Sequence, residues 1–228
     1  MKKEKHGETA LIMGNGPSVK ELDFDELILN SSVVTFATNR ISLIYDQTAW
    51  RPDFYTCFTM LSKTDKNWKK SIEKVVVNEE TKCFLLPECK RWLGERKNVV
   101  YVQPYEHYRH SPIPDDLFKT PVSKKFLKSY SATTSIIQLS LSLGFKRMYI
   151  IGQDGYQEQI EDNHFSSLYG HDPRDFQKTN KRLIDMHRVL KNHCDKHGIE
   201  VKNLSNNSVL KMYEKSDILL KKEYKHSG

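Results

Sequence analysis

Four short polar segments of the sequence contain residue types that bind nucleotides or transfer protons. The first is Gly14-Asn15-Gly16-Pro17-Ser18, which follows a short apolar run. Glycines let the backbone approach a phosphate closely, and amides at the start of a helix bind anions. The segment is not a complete GxGxxG, because Val19 stands in place of the third glycine, and it is not a GxxxxGK[ST] loop. It therefore predicts either a phosphate site or a plain turn between a strand and a helix.

The next two segments each follow an apolar run of their own. Asn39 and Arg40, in Thr38-Asn39-Arg40, can hydrogen-bond a base, a ribose or a phosphate, or instead cap a helix and lie at the surface. Asp154, in Gly152-Gln153-Asp154-Gly155-Tyr156, is interpreted as a site residue, because ligands bind beyond the carboxyl ends of strands in open α/β folds.

The fourth segment contains two histidines, in Asn163-His164-Phe165 and Tyr169-Gly170-His171. His164 and His171 are candidate general bases. A metal site is the weaker alternative, because no third His or Cys has ligand spacing. No DxD directly follows a predicted strand, and Asp23-Phe24-Asp25 falls inside a predicted helix. We therefore expect neither a metal nor a cofactor.

Short apolar runs alternate with helical stretches along the chain, a pattern typical of a parallel sheet covered by helices. The predicted strands are Ala10–Met13, Val33–Ala37, Phe54–Phe58, Lys82–Leu86, Val99–Val102, Arg147–Ile151 and Glu200–Asn203. The predicted helices are Val19–Leu29, Ala132–Leu143 and Pro173–His197, the last capped by Asp172 and packing His187 against the core. Gln103–Lys128 is predicted to be a long loop, and Gly155–His171 a short lid over the carboxyl end of the sheet.

The composition predicts one soluble domain spanning residues 1–228, since 38% of residues are hydrophobic and 29% are charged. No apolar run approaches the roughly 18 residues of a membrane span, and the N-terminus reads as neither a signal peptide nor an anchor. The net charge of +7 suits an anionic ligand. No nucleic-acid partner is expected, because the lysines are scattered among acids without an aromatic stripe.

The cysteines predict a reducing compartment, the cytoplasm. Cys57, Cys83, Cys89 and Cys194 form no CxxC pair, and Cys57 and Cys83 sit in apolar runs where buried thiols are common. The basic tail Lys221–His226 leaves open a peripheral contact with the inner face of the membrane. A homo-oligomer also stays open.

Taken together, GNGPS, TNR, LGFKRMYIIGQDGY, LYGH and NNSVL resemble the motifs of the family 42 sialyltransferases, over roughly residues 10–210. The resemblance implies a Rossmann-like sheet with a lid and a cytidine-monophosphate (CMP) sugar used without metal. It also implies that GNGPS, Asn39 and Asn207-Ser208 contact the nucleotide, that Tyr156 binds its phosphate, and that His171 is the base.

The sequence also departs from that family. Ser129, with Lys128 beside it, stands where the family has an arginine, the second lid tyrosine has no clear counterpart, and the family's longer C-terminal region is missing. GNGPS, TNRI, RPDFYTCFT, LGFKRMYIIGQD, NHF and NLSNNSVL equally resemble the hydroxymethylpterin-diphosphokinase-like family. Its archaeal members transfer pyrophosphate from ATP to a pterin, and its bacterial relatives occur in surface-glycan systems.

We therefore expect an α/β, Rossmann-like, mostly parallel sheet flanked by helices, with a short lid. The expected function is a metal-independent glycosyltransferase that transfers a CMP-linked acidic sugar to a glycan acceptor during lipopolysaccharide or capsule synthesis. His171 would deprotonate the acceptor, and Tyr156, the GNGPS amides and Lys128 would stabilise the departing phosphate. The alternatives are a Mg²⁺-dependent diphosphokinase and a non-catalytic nucleotide-binding accessory protein.

Overall fold

A computed structural model describes residues 9–59, 64–103, 105–106, 127–128, 131–156, 163–169 and 176–216, with the backbone alone at 105–106 and 127–128. The strands are β1 Thr9–Met13, β2 Val33–Thr38, β3 Phe54–Cys57, β4 Lys82–Leu85, β5 Val99–Tyr101, β6 Tyr105–Glu106, β7 Leu127–Lys128, β8 Arg147–Ile151, β9 Glu200–Asn203 and β10 Glu214–Lys215. The α-helices are α1 Phe24–Leu29, α2 Lys66–Val76, α3 Lys90–Leu93, α4 Ala132–Ser142 and α5 Phe176–Lys196. Short 3-10 turns cover Pro17–Glu21, Ile41–Ile44, Pro87–Cys89 and Ser167–Tyr169.

Eight strands form one parallel sheet in the order β10-β9-β8-β1-β2-β3-β4-β5, and β6 pairs with β7 separately. Successive side chains of β1 alternate between the two faces: Leu11 and Met13 join one apolar cluster, and Ala10 and Ile12 the other. Helices α1 to α3 pack on the first cluster, and α4 and α5 on the second. The fold is therefore the predicted Rossmann-like α/β arrangement, with a core on each side of the sheet.

All seven predicted strands are confirmed, with ends that differ by at most one residue. The sequence analysis did not predict β10, nor β6 and β7, which lie at the ends of the predicted loop Gln103–Lys128. Helix α4 confirms the prediction for Ala132–Leu143, although it ends at Ser142. The predicted cap Asp172 and the lid residues 157–162 and 170–171 lie outside the described residues.

The single helix predicted over Val19–Leu29 is wrong. The 3-10 turn ends at Glu21, and Leu22 is extended and fully buried. Asp23 then caps α1, because its carboxylate accepts hydrogen bonds from the amides of Asp25 and Glu26 at 3.0 and 3.1 Å. Asp23 is thus the N-cap of α1, and Phe24 and Asp25 are the first two residues of that helix, so helix capping explains the Asp23-Phe24-Asp25 string.

All four cysteines are free and buried, as expected for structural thiols. In the described part of the chain, no helix combines the length and apolar character needed to cross a bilayer.

His187 packs in the core, as predicted. It is fully buried on α5, and its Nδ1 lies 3.0 Å from the Tyr213 hydroxyl, which also donates to the His187 carbonyl at 3.3 Å. Burial lowers the pKa of His187 to about 3, because the charged imidazolium cannot be solvated there. The pair fastens the segment after β9 to α5.

This lowered pKa makes stability depend on pH. Between pH 6.5 and about 3 the unfolded chain binds a proton at His187 that the folded chain does not, so stability falls as the pH falls through this window. From pH 7 to pH 5 we expect this histidine to account for a loss of about 2 kcal/mol. The free energy of unfolding of His187→Gln, measured by urea denaturation, should therefore fall by about 2 kcal/mol less than that of the wild type between pH 7 and pH 5. Equal losses in both proteins would contradict the buried neutral histidine.

Candidate active site

The carboxyl ends of β1, β2, β8 and β9 bring together polar segments that are distant in the sequence. The loop after β1 runs alongside the loop after β8: the Gly14 amide donates to the Ile151 carbonyl and the Gly16 amide to the Gly152 carbonyl, both at 2.8 Å. The Asn15 side chain donates to the Thr38 carbonyl after β2 at 3.0 Å. These contacts bring together three of the segments that the sequence analysis singled out.

The glycines of GNGPS are required by contacts between loops. A Cβ on Gly14 would lie 2.1 Å from the Gly152 carbonyl oxygen, and one on Gly16 would lie 2.1 Å from Asp154 Oδ2. Gly152 has a φ of +71°, and a Cβ there would lie 2.5 Å from a methyl group of Val19. The space that glycine was expected to leave for a phosphate is occupied by the loop after β8.

Three amides of the GNGPS turn donate hydrogen bonds within the protein. Besides the Gly14 and Gly16 bonds, the Ser18 amide donates to Asp154 Oδ2 at 3.0 Å, and Pro17 has no amide hydrogen. A carboxylate of the protein thus lies where an anion was expected. The prediction that the Gly14, Gly16 and Ser18 amides bind a phosphate is therefore wrong for this conformation.

Asp154 holds the turn and is 4% exposed. Its Oδ2 accepts the Ser18 amide, and its carbonyl accepts the Val209 amide at 2.9 Å. Within the described residues its Oδ1 has no hydrogen-bond partner, and the same is true of Oδ1 of Asn15, which is 7% exposed. The sequence located both residues correctly at this edge, which thus contains two buried, unused acceptor atoms.

The segment after β9 closes the site from the side. The Ser18 and Ser205 hydroxyls lie 2.7 Å apart, and the Gly152 amide donates to the Ser18 hydroxyl at 2.9 Å. Ser208 is buried and donates to the Gln153 carbonyl at 2.7 Å, whereas Asn207 is exposed. Both members of the predicted Asn207-Ser208 pair lie near this edge, but Ser208 bonds within the protein.

Asn39 adopts a strained backbone conformation at the end of β2. Its φ is +55°, the left-handed value that residues other than glycine adopt at a cost. Its carbonyl accepts the Tyr55 hydroxyl at 2.5 Å, and its amide donates to the Thr56 carbonyl at 3.1 Å. Its side chain hydrogen-bonds the hydroxyl of Tyr169. Asn39 therefore links β2 and β3 to the lid.

Arg40 also contacts the lid. Its Nη1 donates to the carbonyls of Leu168 and Tyr169 at 2.7 and 2.6 Å, and its Nε donates to the Ser71 hydroxyl on α2 at 3.2 Å. The side chain is 8% exposed. The sequence analysis assigned Arg40 to the nucleotide or to the surface, but the structure shows it joining α2 to the 3-10 turn Ser167–Tyr169.

Aromatic rings fill the space under the described part of the lid. The His164 ring stacks on Tyr169 with centroids 3.7 Å apart, and it meets the Tyr156 ring edge-on at 6.4 Å. Trp68 of α2 contacts Tyr169 at 5.8 Å. Burial raises the pKa of the Tyr169 phenol, which therefore stays neutral. Both ring nitrogens of His164 are shielded from solvent, so in this conformation His164 is poorly placed to accept a proton from a substrate.

The other predicted site residues have different outcomes. Tyr156 lies at the edge of the site with the aromatic rings, and His171 lies outside the described residues, so its role stays a prediction. At Lys128 only the backbone is described. In the described part of the chain, no three His, Cys, Asp or Glu side chains are grouped as a metal site would require.

The sequence analysis missed several polar residues of this edge. Gln153 Oε1 accepts hydrogen bonds from the hydroxyls of Ser131 and Thr133 at the start of α4. Asn180, on α5, binds the backbone of Tyr156. A periodic apolar pattern could place α4 and α5, but it gave no signal that these polar side chains face the site.

No family model and no curated protein matches the chain. Solved structures share its fold. Sialyltransferase CstII from Campylobacter jejuni, in complex with the substrate analogue cytidine-5′-monophosphate, has a TM-score of 0.53 at 14% identity, over 95% of this chain and 87% of CstII. The monofunctional α-2,3-sialyltransferase Cst-I from the same organism has a TM-score of 0.51 at 14% identity, over 100% and 88% of the two chains.

A third structure, the MAf glycosyltransferase from Magnetospirillum magneticum AMB-1, has a TM-score of 0.60 at 14% identity over 92% of this chain. The chain spans about a third of that enzyme, 34% of its length. At these identities the matches show a shared fold. The resemblance to the hydroxymethylpterin-diphosphokinase-like family stays a prediction.

The loop packing predicts that Gly16→Ala is destabilising. The added methyl group would collide with Asp154 Oδ2, and overpacking of this kind costs about 1–3 kcal/mol. Urea denaturation should show this loss, and a smaller loss when the same change is made in an Asp154→Ala background, where the colliding carboxylate is absent. An unchanged midpoint for Gly16→Ala would contradict the close contact between the two loops.

Arg40 should order the described part of the lid. Arg40→Gln removes the bonds to the Leu168 and Tyr169 carbonyls, so amide hydrogen exchange in residues 163–169 should become about tenfold faster. Arg51→Gln is the matched control, because Arg51 also donates to two carbonyls, those of Thr48 and Trp50, away from the lid. If both variants changed exchange in residues 163–169 equally, Arg40 would have no special role there.

Proposed function

We propose that the protein is a glycosyltransferase that transfers an acidic sugar from a CMP-linked donor to a glycan acceptor in surface-glycan synthesis, without a divalent metal or another cofactor. The observation that carries the proposal is the fold, which nearly the whole chain shares with a sialyltransferase crystallised with cytidine-5′-monophosphate. The polar edge beyond β1, β2 and β8 supports it, because nucleotides bind in this position in open α/β sheets.

The buried acceptors favour a nucleoside as the ligand at this edge. Asn15 Oδ1 and Asp154 Oδ1 are both removed from solvent and have no partner among the described residues. An unsatisfied buried acceptor costs about 1–3 kcal/mol, so a local movement that exposes these two atoms to the hydrogen-bond donors of a ligand would be repaid in affinity. Ribose hydroxyls and the cytosine amino group are such donors.

The donor phosphate needs a site other than the Gly14, Gly16 and Ser18 amides, since these three amides bond within the protein. We assign it to the Tyr156 hydroxyl and the first turn of α4, whose 11 residues begin at the same edge with Thr133 beside Gly14. The start of a helix carries a partial positive charge that favours a phosphate. Lys128 stays a further candidate.

Proton transfer is assigned to His171. His164, the other candidate, is stacked on Tyr169 with its ring nitrogens shielded, and this arrangement suits a residue that shapes the lid. A base that takes the proton of an acceptor hydroxyl contributes typically 10²–10⁴-fold to the rate. In the proposed reaction the bond from the sugar to the phosphate oxygen breaks, the acceptor oxygen bonds to the sugar, and CMP leaves.

Nucleotide binding tests this function directly. CMP at about a hundred times its dissociation constant should stabilise the protein by about 2.7 kcal/mol and raise its melting temperature, whereas ATP with Mg²⁺ should have little effect. Sugar transfer from a CMP-linked donor should also persist in excess EDTA.

The reverse pattern would favour the diphosphokinase alternative: stabilisation by ATP with Mg²⁺, and an activity that EDTA abolishes and Mg²⁺ restores. Binding of CMP with no transfer to any glycan acceptor would favour the accessory protein.

A further inference from the structure

Asn180, in the second turn of α5, holds the backbone of Tyr156 through both polar atoms of its side chain. Its Oδ1 accepts the Tyr156 amide at 2.8 Å, and its Nδ2 donates to the Tyr156 carbonyl at 2.7 Å. The side-chain amide thus pairs with Tyr156 as a residue of a neighbouring strand would. Two simultaneous bonds fix the position of the peptide more firmly than one.

The contact fixes the last residue of a segment whose other members are held elsewhere. The Gly152 amide bonds to Ser18, the Gln153 carbonyl to Ser208, and the Asp154 carbonyl to the Val209 amide. Gly155, with a φ of +96°, leaves no room for a Cβ against Val209. Gln153 and Asp154 are thus held by the segment after β9, whereas Tyr156 is held by α5.

Helix α5 is itself well anchored. Leu183 and Leu190 lie in its apolar interface with the sheet, and His187 bonds to Tyr213. Because the helix is fixed, the bonds of Asn180 transmit its position to Tyr156. The direction in which the Tyr156 ring leaves the backbone, toward His164, then depends on this pair of bonds.

We propose that Asn180 is a positioning residue that fixes Tyr156 so that its hydroxyl meets the phosphate of the nucleotide. The inference rests on the proposed function, since it takes the phosphate to be the partner of that hydroxyl. It adds a residue of α5, outside every motif quoted from the sequence, to the machinery that would recognise the donor.

A double-mutant cycle on CMP affinity tests this inference, with calorimetry on the full chain. Tyr156→Phe removes one hydrogen bond to a charged phosphate and should weaken binding about 10- to 100-fold. Asn180→Ala leaves the phenol in place but frees its backbone, and should weaken binding about 3- to 10-fold. In the Tyr156→Phe background Asn180→Ala should have no further effect, because it acts through the missing hydroxyl.

Asn192→Ala is the matched control, since Asn192 is an exposed asparagine on the same helix, and it should bind CMP like the wild type. If Asn180→Ala does not fold, Asn180→Leu, which keeps the shape of the side chain, replaces it. The inference would be overturned if the Asn180 variant bound CMP as tightly as the wild type, or if the double variant were weakened by the product of the two single effects. Either result would leave the proposed function intact. Failure of the wild type to bind CMP would instead overturn the proposed function, and the inference with it.

Discussion

The candidate site depends on one buried carboxylate. Asp154 Oδ2 accepts the Ser18 amide and so joins the loops after β1 and β8, which are 136 residues apart in the sequence. Burying a polar group costs free energy unless a hydrogen bond replaces its hydration, and the Ser18 amide supplies one such bond to Oδ2 at 3.0 Å. That contact explains why position 16 has no side chain, since its Cβ would fall on the same oxygen. The geometry of the site follows from this junction.

The site has two sides, residues 152–156 and residues 163–169, and each is held by its own set of hydrogen bonds. Residues 152–156 are held by Ser18, Ser208, Val209 and Asn180. Across the site, residues 163–169 are held by Arg40, whose buried guanidinium donates to lid carbonyls. The two sides meet where the Phe165 amide donates to the Asn15 carbonyl at 2.9 Å.

The sheet could be predicted because each central strand is an apolar run, and burial on both faces demands such runs. β10 could not, since Glu214 and Lys215 are exposed and carry no apolar signal. The error over Val19–Leu29 has a similar cause. The apolar spacing there continues through Leu22, but the Asp23 carboxylate caps a new helix. A pattern of hydrophobic residues does not show that a side chain will bind backbone amides and so end one helical segment and begin another.

The position of the candidate site residues at the carboxyl ends of the strands could be predicted, but the hydrogen bonds that their polar groups make could not. GNGPS, Arg40 and Ser208 have the chemistry to bind a nucleotide, yet the structure uses three of the GNGPS amides, the Arg40 guanidinium and the Ser208 hydroxyl to join distant segments. Only the folded structure shows which polar groups have no partner within the protein and can bind a ligand. Asn15 Oδ1 and Asp154 Oδ1, which remain without partners, are acceptors, and acceptors repel a phosphate. Under the proposed function, the edge beside them suits the donor groups of a nucleoside, and we place the phosphate farther along, toward α4 and Tyr156.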